Sequence, residues 1–341
     1  MAATTYTGTN ATLAVSNAVN TVSFQPDLVW LKSRSIGASS HALYDTNRGA
    51  RVMLQSNTTI ADFTDSAGVG MTAFNANGFS LGTDTAASSC SVNGNGVTFI
   101  GWQWKAGGTA VSNTAGTITS SVSANTTAGF SVVTYTANGI ASTVGHGLGV
   151  VPSMIIVKCR STGGGNWPVY HILTGNTGVA SWLNTTNAFT ASALFWNNTS
   201  PTSSVFSIGT FNSDTNFTSG MVAYCWAPVA GYSAFGSYTG NGSADGPFIY
   251  TGFRPRWLMI KCSSAAGGWK IYNTSGLTYN TINTALEAQD SAAEVNSSSF
   301  NSDWLSNGFK LRTTYADFNT SGATYIYAAF AENPLKYANA R

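Results

Sequence analysis

The sequence predicts an all-β protein built from three tandem antiparallel β-sandwich repeats of jelly-roll-like type, each roughly a hundred residues long. Three observations support this prediction. Short apolar runs are bounded by Gly, Asn, Ser or Pro about every ten residues, which is typical of sandwiches. Asn-Gly pairs, which favour tight hairpin turns, recur along the chain. The same landmarks also return in the same order three times, which indicates an internal repeat.

Each repeat contains four landmarks. The Tyr-Thr opening motifs begin at Tyr6, Tyr135 and Tyr238. A proline then precedes an apolar run, and the lysines that end these runs are Lys32, Lys158 and Lys261. The aromatic-rich third landmarks begin at His41, Trp167 and Trp269. The closing strands are expected over 96–104, 220–226 and 322–330.

The landmarks divide the chain into repeats over 1–105, 130–230 and 231–341. The remaining segment, 106–129, contains no charged and no aromatic residue. We interpret it as an uncharged inter-domain linker of extended, β-like conformation, because its Thr and Val residues favour strand dihedrals. The sequence leaves open whether this segment stays in its own subunit or is exchanged with a neighbouring one.

The composition excludes several classes of protein. Charged residues make up only 8% of the chain, and the net charge of +2 comes from unclustered residues, so nucleic-acid binding through a basic face has no support. The hydrophobic fraction of 43% excludes a disordered chain. No apolar run approaches the length that spans a bilayer, and the first residues lack the pattern of a secretion signal. We therefore expect synthesis in the cytoplasm without membrane insertion.

Side chains that alternate along a strand lie on one face of its sheet. This alternation in the closing strands predicts a core formed by Ile100, Trp102, Trp104, Val222, Tyr224, Trp226, Ile326, Ala328 and Phe330. The four cysteines follow no metal-site spacing, and we interpret them as small buried hydrophobic residues. A disulfide bond between Cys159 and Cys225 is the alternative, because both lie on predicted strands that could be neighbours.

The titratable residues favour structural roles over chemistry. His41 stands where the other repeats carry tryptophan, which predicts an aromatic packing role. His171 stands where the others carry Asp45 and Asn273, at a turn or rim, and His146 lies in a loop. No Gly-x-Ser-x-Gly motif occurs to place a serine nucleophile, and the aspartates are interpreted as turn residues. The sequence therefore predicts no enzyme activity, cofactor or metal site, although the spatial pairing of carboxylates is invisible to sequence.

The recurring lysines Lys32, Lys158 and Lys261 have two interpretations. Each could pack its aliphatic stem on an aromatic ring while the ammonium reaches solvent. The three could instead form a shared ligand-contact site. The same choice applies to Trp167 and Trp269, which with Trp196 are either core residues or a sugar-stacking platform.

Several longer motifs resemble a family of tailed-bacteriophage virion proteins, which includes tail-fibre-like and other structural proteins with tandem β repeats. The segments that carry the resemblance are 24–35, 41–49, 104–108, 145–149, 238–247 and 328–337. They extend over nearly the whole chain. None of them contains a reaction centre, so no catalytic residue is implied by the resemblance.

The resemblance implies a non-enzymatic virion structural protein, with a tail fibre or tail-associated adhesin that contacts the host surface as the leading hypothesis. The partners it implies are other virion proteins, further copies of the chain, with a trimer as the usual fibre arrangement, and a glycan or protein receptor on the host. One alternative is a capsid decoration or cement protein. Another, from a different class, is a carbohydrate-binding module or carbohydrate-active enzyme.

Overall fold

The computed structural model describes residues 1–17, 23–84, 91–161, 163, 165–174, 179–210, 214–276 and 279–334. These ranges contain 28 β-strands, two α-helices of four residues each and one 3-10 turn. All pairings between named strands are antiparallel, which confirms the predicted all-β sandwich class. None of the described helices has the length and apolar character needed to cross a membrane.

The first repeat contains β1 (Ala2–Thr7), β2 (Leu13–Ser16), β3 (Leu28–Ser33), β4 (Ala42–Asp45), β5 (Val52–Met53), β6 (Phe63–Thr64), β7 (Met71–Asn75), β8 (Gly78–Leu81) and β9 (Thr98–Trp104). The second contains β10 (Val111–Asn113), β11 (Ser120–Asn125), β12 (Phe130–Thr136), β13 (Ser142–Gly145), β14 (Met154–Cys159), β15 (Pro168–His171), β16 (Val179–Trp182), β17 (Thr190–Ala191), α1 (Ala193–Trp196), β18 (Val205–Ile208) and β19 (Gly220–Trp226). The third contains β20 (Ser233–Thr239), β21 (Phe248–Tyr250), β22 (Pro255–Cys262), β23 (Lys270–Asn273), β24 (Thr284–Glu287), β25 (Val295–Asn296), the 3-10 turn Ser298–Phe300, β26 (Ser302–Leu305), β27 (Gly308–Leu311), α2 (Ala316–Asn319) and β28 (Thr324–Ala331).

Each repeat is a sandwich of one large and one small sheet. The large sheets have the strand orders β1-β9-β3-β4, β10-β11-β12-β19-β14-β15-β16-β17 and β20-β28-β22-β23-β24-β25. The small sheets are β2-β8-β7, β13-β18 and β21-β27-β26. The opening and closing strands of a repeat are therefore always neighbours in its large sheet, so each sandwich is closed by its own two ends.

The segment 106–129 is not a linker between sandwiches. It supplies β10 and β11, and β11 pairs along its whole length with the opening strand β12. The second sandwich thus begins inside this segment, and in this structure the segment pairs with its own chain. Gly107 crosses the backbone at Ala124, where an added Cβ would lie 2.4 Å from the carbonyl oxygen. The uncharged Ser- and Thr-rich sequence is that of two strands at the edge of a sheet.

The central strands of each large sheet are buried on both faces. In β14, Ile155 and Val157 point into the second sandwich, whereas Met154 and Ile156 point away from it toward the other repeats. The runs after the matched prolines of the other two repeats divide in the same way. Burial on both faces explains why these runs are apolar without a break rather than alternating.

The outward faces of the three large sheets meet in one cluster, which we call the central core. Its main side chains are Trp30, Trp102, Trp104, Phe130, Met154, Ile156, Tyr224, Trp226, Trp257, Met259, Ala328 and Phe330. All nine residues predicted as core from the closing strands are buried, but they belong to the central core rather than to the interior of a sandwich. The repeats therefore form a closed ring around a shared core.

A buried asparagine explains the opening motif of each repeat. In the second repeat, the Asn216 side chain donates to the carbonyls of Ile140 and Gly209, both at 2.6 Å, and accepts from the backbone N–H of Gly139 at 3.0 Å. The Tyr135 hydroxyl donates to the carbonyl of Thr215, the residue before Asn216. Asn93 with Tyr6 and Asn319 with Tyr238 repeat this arrangement. The tyrosine of the motif is thus fixed by a turn about 80 residues later in sequence.

The cysteines are not bonded. Cys159, Cys225 and Cys262 are free and buried, and Cys90 lies outside the described residues. In the register of β14 and β19, Cys159 faces Met221 and Cys225 faces Ile155, so the two sulfurs lie at opposite ends of the strand pair. The alternative disulfide is therefore wrong, and burial raises the pKa of the Cys225 thiol.

Candidate functional site

The three recurring lysines lie at the junctions between repeats. Lys158 Nζ donates to the carbonyl of Thr59 in the first repeat at 2.9 Å. Lys261 Nζ donates to Thr186 O in the second repeat at 3.0 Å, and Lys32 Nζ donates to Ser291 O in the third at 3.2 Å. Each repeat therefore reaches back to its neighbour, and the first reaches the third, which closes the ring.

Two of these lysines contact an aromatic ring, as the first interpretation expects, but none of the three ammonium groups reaches solvent. Their side chains are buried, so the ammonium groups neither reach solvent nor present a surface to a ligand. Lys158 Nζ lies 5.9 Å from the centre of the Trp167 ring, and Lys261 Nζ lies at the same distance from Trp269. Burial lowers the pKa of both lysines to about 8, while nearby thiol and carboxyl groups oppose this shift. They act as donors that satisfy carbonyls between repeats.

The first residue of the aromatic-rich landmark also reaches across each junction. Trp167 Nε1 donates to Gln55 O and Trp269 Nε1 donates to Trp182 O, both at 3.0 Å. His41 takes the same role through Nε2, which lies 2.9 Å from Glu287 O. These side chains and Trp196 are buried, so no sugar-stacking platform is formed by the predicted tryptophans.

The tautomer of His41 follows from its two partners. Trp30 Nε1 can only donate, and it lies 2.8 Å from His41 Nδ1, which must therefore accept. The proton is then on Nε2, where it is donated to the carbonyl of Glu287. Burial, together with the charge of Lys32, lowers the pKa of His41 well below its usual value. A neutral histidine thus replaces the indole donor of the other repeats.

Salt bridges strengthen two of the three junctions. Arg160 Nε lies 2.8 Å from Asp62 Oδ2, and Arg34 Nη2 lies 2.6 Å from Glu294 Oε2. At the first two junctions the backbone N–H groups of Asp62 and Glu294 also donate to the backbone carbonyls of the two arginines. At the third junction the backbone N–H of Phe189 donates to the matching carbonyl, that of Ser263, and the Phe189 ring contacts Trp269. The hydrogen bond between the main chains is kept at all three junctions, whereas the charge pair is replaced by aromatic packing at one.

The most deeply buried charges also join two repeats. Arg48 Nε lies 2.5 Å from Asp45 Oδ2, and neither side chain is exposed. Tyr224 of the second repeat donates its hydroxyl to the same carboxylate oxygen at 2.8 Å. Burial raises the pKa of Tyr224 well above its usual value. Because all these groups are enclosed, they form a structural clamp rather than a reaction centre.

The other two histidines are likewise held by partners. His146 Nε2 lies 3.1 Å from Thr202 O, and His171 Nε2 lies 3.2 Å from Tyr327 O in the third repeat. Burial lowers the pKa of both rings, that of His171 to about 4. Within the described residues, no three His, Cys, Asp or Glu side chains come together as a metal site would require.

One cluster contains two carboxylates, Glu287 and Asp317, on either side of Lys270. The ammonium contacts the Glu287 carboxylate and lies 3.1 Å from Asp317 Oδ2. Burial alone would lower the pKa of Lys270, but the hydrogen bond and charge of Glu287 raise it. One buried ammonium thus bridges both carboxylates, and the cluster has the geometry of a shared salt bridge.

The small sheets differ on their outer faces. Val15, Val144 and Ile249 occupy matching positions, and each pairs with a buried phenylalanine of the next strand. The residues on either side of them belong to the opposite face of each small sheet. They are Ala14 and Ser16 in the first repeat, Thr143 and Gly145 in the second, where Gly145 is buried beneath the Asn113 side chain, and Phe248 and Tyr250 in the third. Only the third repeat places aromatic rings at this face, and they are 43% and 62% exposed.

A family model for a domain of unknown function matches residues 1–334. The chain belongs to the DUF7483 family. The matched range includes all three sandwiches, so the DUF7483 unit is the whole ring rather than one repeat. Neither the curated proteins nor the solved structures gave a match.

The outer face of the third repeat in this DUF7483 chain was missed by sequence reasoning. Phe248 and Tyr250 lie outside the landmarks by which the repeats were aligned. Aligning the strands after the opening motifs would have shown two aromatic residues against small or hydroxyl-bearing ones. The residues singled out from the sequence are instead brought together at the junctions, where they hold the ring closed.

Proposed function

We propose that this DUF7483 protein is a non-enzymatic structural protein of a bacteriophage virion, acting at the tail as a fibre component or adhesin that contacts the host surface. The proposal starts from the resemblance of the long motifs to tailed-phage virion proteins. The structural observation that carries it is the closed ring, in which three sandwiches share one aromatic core within a single chain.

The use of charge in the ring supports a structural role. Lysine, histidine and arginine side chains are placed at junctions, where they bind backbone carbonyls or a single carboxylate partner. A reaction centre needs titratable groups that face substrate with shifted pKa values. Here the groups with clearly shifted pKa values are buried, between repeats for His41, His171 and Tyr224 and inside single sandwiches for Tyr135 and Tyr238. These residues stabilise the assembly, and the surface is left mainly to Ser, Thr, Asn and Gly.

The shared core of the ring also suits a protein that must stay folded outside the cell. A particle component cannot be refolded or replaced after release, so its lifetime depends on the rate at which it unfolds. Because the three sandwiches share one core, the unfolding of one sandwich would expose core side chains of the other two to water. We therefore propose that the ring is a durable platform, anchored to other virion proteins, further copies of the chain or both, that presents one or more faces to the host.

Localisation in the particle tests the proposal. Virions that encode this chain would be labelled with gold-conjugated antibody raised against the purified ring, and we expect label at the tail. Fab fragments of the same antibody should reduce adsorption to host cells, while Fab fragments against the major capsid protein should not. Label on the head would support the decoration or cement alternative, and absence of label from intact and disrupted particles would overturn a virion role.

The enzyme alternative needs a separate measurement. Purified ring would be incubated with host-surface polysaccharide, and released reducing ends would be measured over time. We expect no release above that of a heat-treated sample. Release that depends on Glu287 or Asp317, the carboxylates beside Lys270, would overturn the non-enzymatic part of the proposal.

A further inference from the structure

The outer face of the third small sheet carries two exposed aromatic rings on a rigid support. Phe248 pairs with Lys310, and Tyr250 pairs with Gly308, in the register of β21 and β27. Between them Ile249 points inward and is buried against Phe309. Residues two apart on a strand share a face, so both rings belong to one surface, which also includes Leu305 of β26. We call this surface the platform.

Gly308 is required for the platform to form. A Cβ at this position would lie 2.1 Å from the carbonyl oxygen of Ile249 and 2.9 Å from the ring of Phe248. The phenylalanine ring therefore lies against the glycine, close to the sheet. The strand end is also fixed, because Thr251 and Gly252 both donate their backbone N–H groups to Asn307 O, at 3.0 and 3.1 Å. The rings are thus presented in a preorganised arrangement, which lowers the entropic cost of binding.

Polar groups border the platform on one side. Arg312 Nε lies 2.6 Å from Asp303 Oδ2, and Arg312 Nη1 lies 3.0 Å from Asp245 Oδ1. Lys310 Nζ also lies 3.0 Å from that Asp245 oxygen. The two cations and two carboxylates balance, so the border has no excess charge for an anionic ligand. It offers exposed donors and acceptors in planar groups, which can bind pairs of neighbouring hydroxyls.

The other two repeats show that the fold does not need these aromatic residues. The positions of Phe248, Tyr250 and Lys310 are occupied in the first repeat by small residues and in the second by small or hydroxyl-bearing ones. They are Ala14, Ser16 and Ser80, and Thr143, Gly145 and Ser207. The sandwiches close with either set. In the second repeat Gly145 is buried beneath the Asn113 side chain and Ser207 is buried as well, so the first repeat, with Ala14 and Ser16 exposed, is the direct comparison. Aromatic rings left in water contribute little to folding, so their presence in one repeat points to a contact outside the chain.

The size of the platform decides between kinds of partner. With Tyr250 at 62%, Phe248 at 43% and Leu305 at 39% exposure, the apolar surface is about 300 Å² if a full side chain has roughly 150–250 Å². A stable protein interface buries about 800 Å² on each partner, of which a little over half, roughly 450 Å², is apolar. The platform is therefore too small for a protein or a second copy of the chain. It fits a ligand of one to a few rings.

We propose that the platform binds a neutral hexose oligosaccharide. The C–H face of a pyranose is apolar and stacks on the negative face of an aromatic ring, while its hydroxyls extend sideways toward the polar border. The balanced charge disfavours phosphate-bearing ligands, which bind where cations are in excess. This inference deepens the proposed adhesin function, since it names the class of receptor, but the binding itself is a property of the isolated chain.

The test uses the purified full chain and defined sugars. Cello-, malto- and laminari-tetraose, and neutral oligosaccharides released from host surface polysaccharide, would be titrated by calorimetry. We expect at least one to bind, and Tyr250→Ala and Phe248→Ala each to weaken binding about tenfold or more through lost stacking. Arg312→Ala should weaken it about fivefold through lost hydrogen bonds. Ser16→Ala, at the matching place of Tyr250 in the first repeat, is the control and should leave binding unchanged.

Each outcome bears on the inference. Tyr250→Ala and Ser16→Ala should keep the melting temperature of the native chain. Phe248→Ala and Arg312→Ala should lower it only slightly, because the ring packs on Gly308 and the guanidinium binds Asp303 and Asp245 at the surface. The inference is overturned if none of the sugars binds, or if Tyr250→Ala leaves binding unaffected. It is also overturned if the chain prefers acidic or phosphorylated glycans, or if it forms a dimer that Tyr250→Ala abolishes. If the ring is found at the tail but binds no sugar, only the inference fails. If it binds sugar through Tyr250 but is absent from particles, the inference stands and the proposed function fails.

Discussion

The central core predicts that one tryptophan controls the stability of all three repeats. Trp104 is buried, and its ring centre lies 6.0 Å from that of Trp226, 5.6 Å from Trp257 and 5.8 Å from Phe330. Truncating a buried Trp to alanine costs about 3–5 kcal/mol. Three aromatic contacts, each worth about 0.5–1.5 kcal/mol beyond area, place this site at the upper end. We expect Trp104→Ala to lower the free energy of unfolding by about 5 kcal/mol.

Trp104→Phe separates the loss of volume from the loss of a polar group. Among the residues that the structure describes, no acceptor lies within hydrogen-bond distance of the Trp104 indole N–H. An unsatisfied buried donor costs about 1–3 kcal/mol, and phenylalanine removes it. We therefore expect Trp104→Phe to cost only about 1–2 kcal/mol, because this relief offsets part of the packing that is lost.

Equilibrium unfolding in guanidinium chloride, followed by circular dichroism and tryptophan fluorescence, measures these effects. For a core shared by three sandwiches, both signals should fall in one transition that Trp104→Ala moves to lower denaturant concentration. Tyr279→Ala, at a side chain that is 83% exposed, should stay within about 0.5 kcal/mol of the native chain. Two separate transitions in Trp104→Ala, or a loss below about 2 kcal/mol, would refute the shared core.

Three further predictions follow from single residues. Asn216→Ala and Asn216→Asp should each lower the free energy of unfolding in guanidinium chloride by about 3 kcal/mol, because both leave the carbonyls of Ile140 and Gly209 without a donor. A mild effect of the Asp variant would contradict this role of the side-chain amide. Lys158→Met should cost about 1–2 kcal/mol, since two carbonyls lose their donor while the desolvation of the ammonium is relieved; a variant more stable than the native chain would show that the donor is dispensable. The pKa of His171 is lowered by burial from 6.5 to about 4, so the unfolded chain binds more protons between these values and stability should fall from pH 6.5 toward pH 4. His171→Asn, which introduces the residue at the matching position of the third repeat, should remove about 3 kcal/mol of that pH dependence, and an unchanged profile would contradict it.

The fold class was predictable because it depends on local pattern. Alternation in the closing strands predicted that Trp102 and Trp104 share one buried face of β9 and that Trp226 lies on a buried face of β19, and all three are buried in the central core. The alternation could not show whether that face packs inside its own sandwich or in the central core. Both faces of the central strands are apolar, so the sequence does not distinguish between them. The sequence predicted an extended conformation for 106–129 but not its pairing in the second large sheet. Strands rich in Ser, Thr and Asn, such as β10, lack the apolar alternation that indicates a face packed on a core.

The sites were less predictable because their partners are backbone atoms. Recurrence drew attention to Lys158 but did not reveal its role. Its acceptor is the carbonyl of Thr59, about a hundred residues earlier, and every residue has a carbonyl. The identity of the accepting residue therefore leaves no trace in the sequence. The buried Asn216 was equally hidden, because asparagines are common in this chain and most of them suit turns.

Joining three repeats in one chain changes what the ring can present to a partner. In a homotrimer every substitution occurs three times, so an aromatic platform on one sandwich would appear on all three. In a single chain the repeats are free to differ, and they do so both at the junction of Phe189 and on the faces that carry Ser16 and Tyr250. If the platform binds sugar as proposed, it gives each ring one such site. If the adhesin function holds, avidity must come from the number of rings on a particle rather than from the threefold arrangement within each.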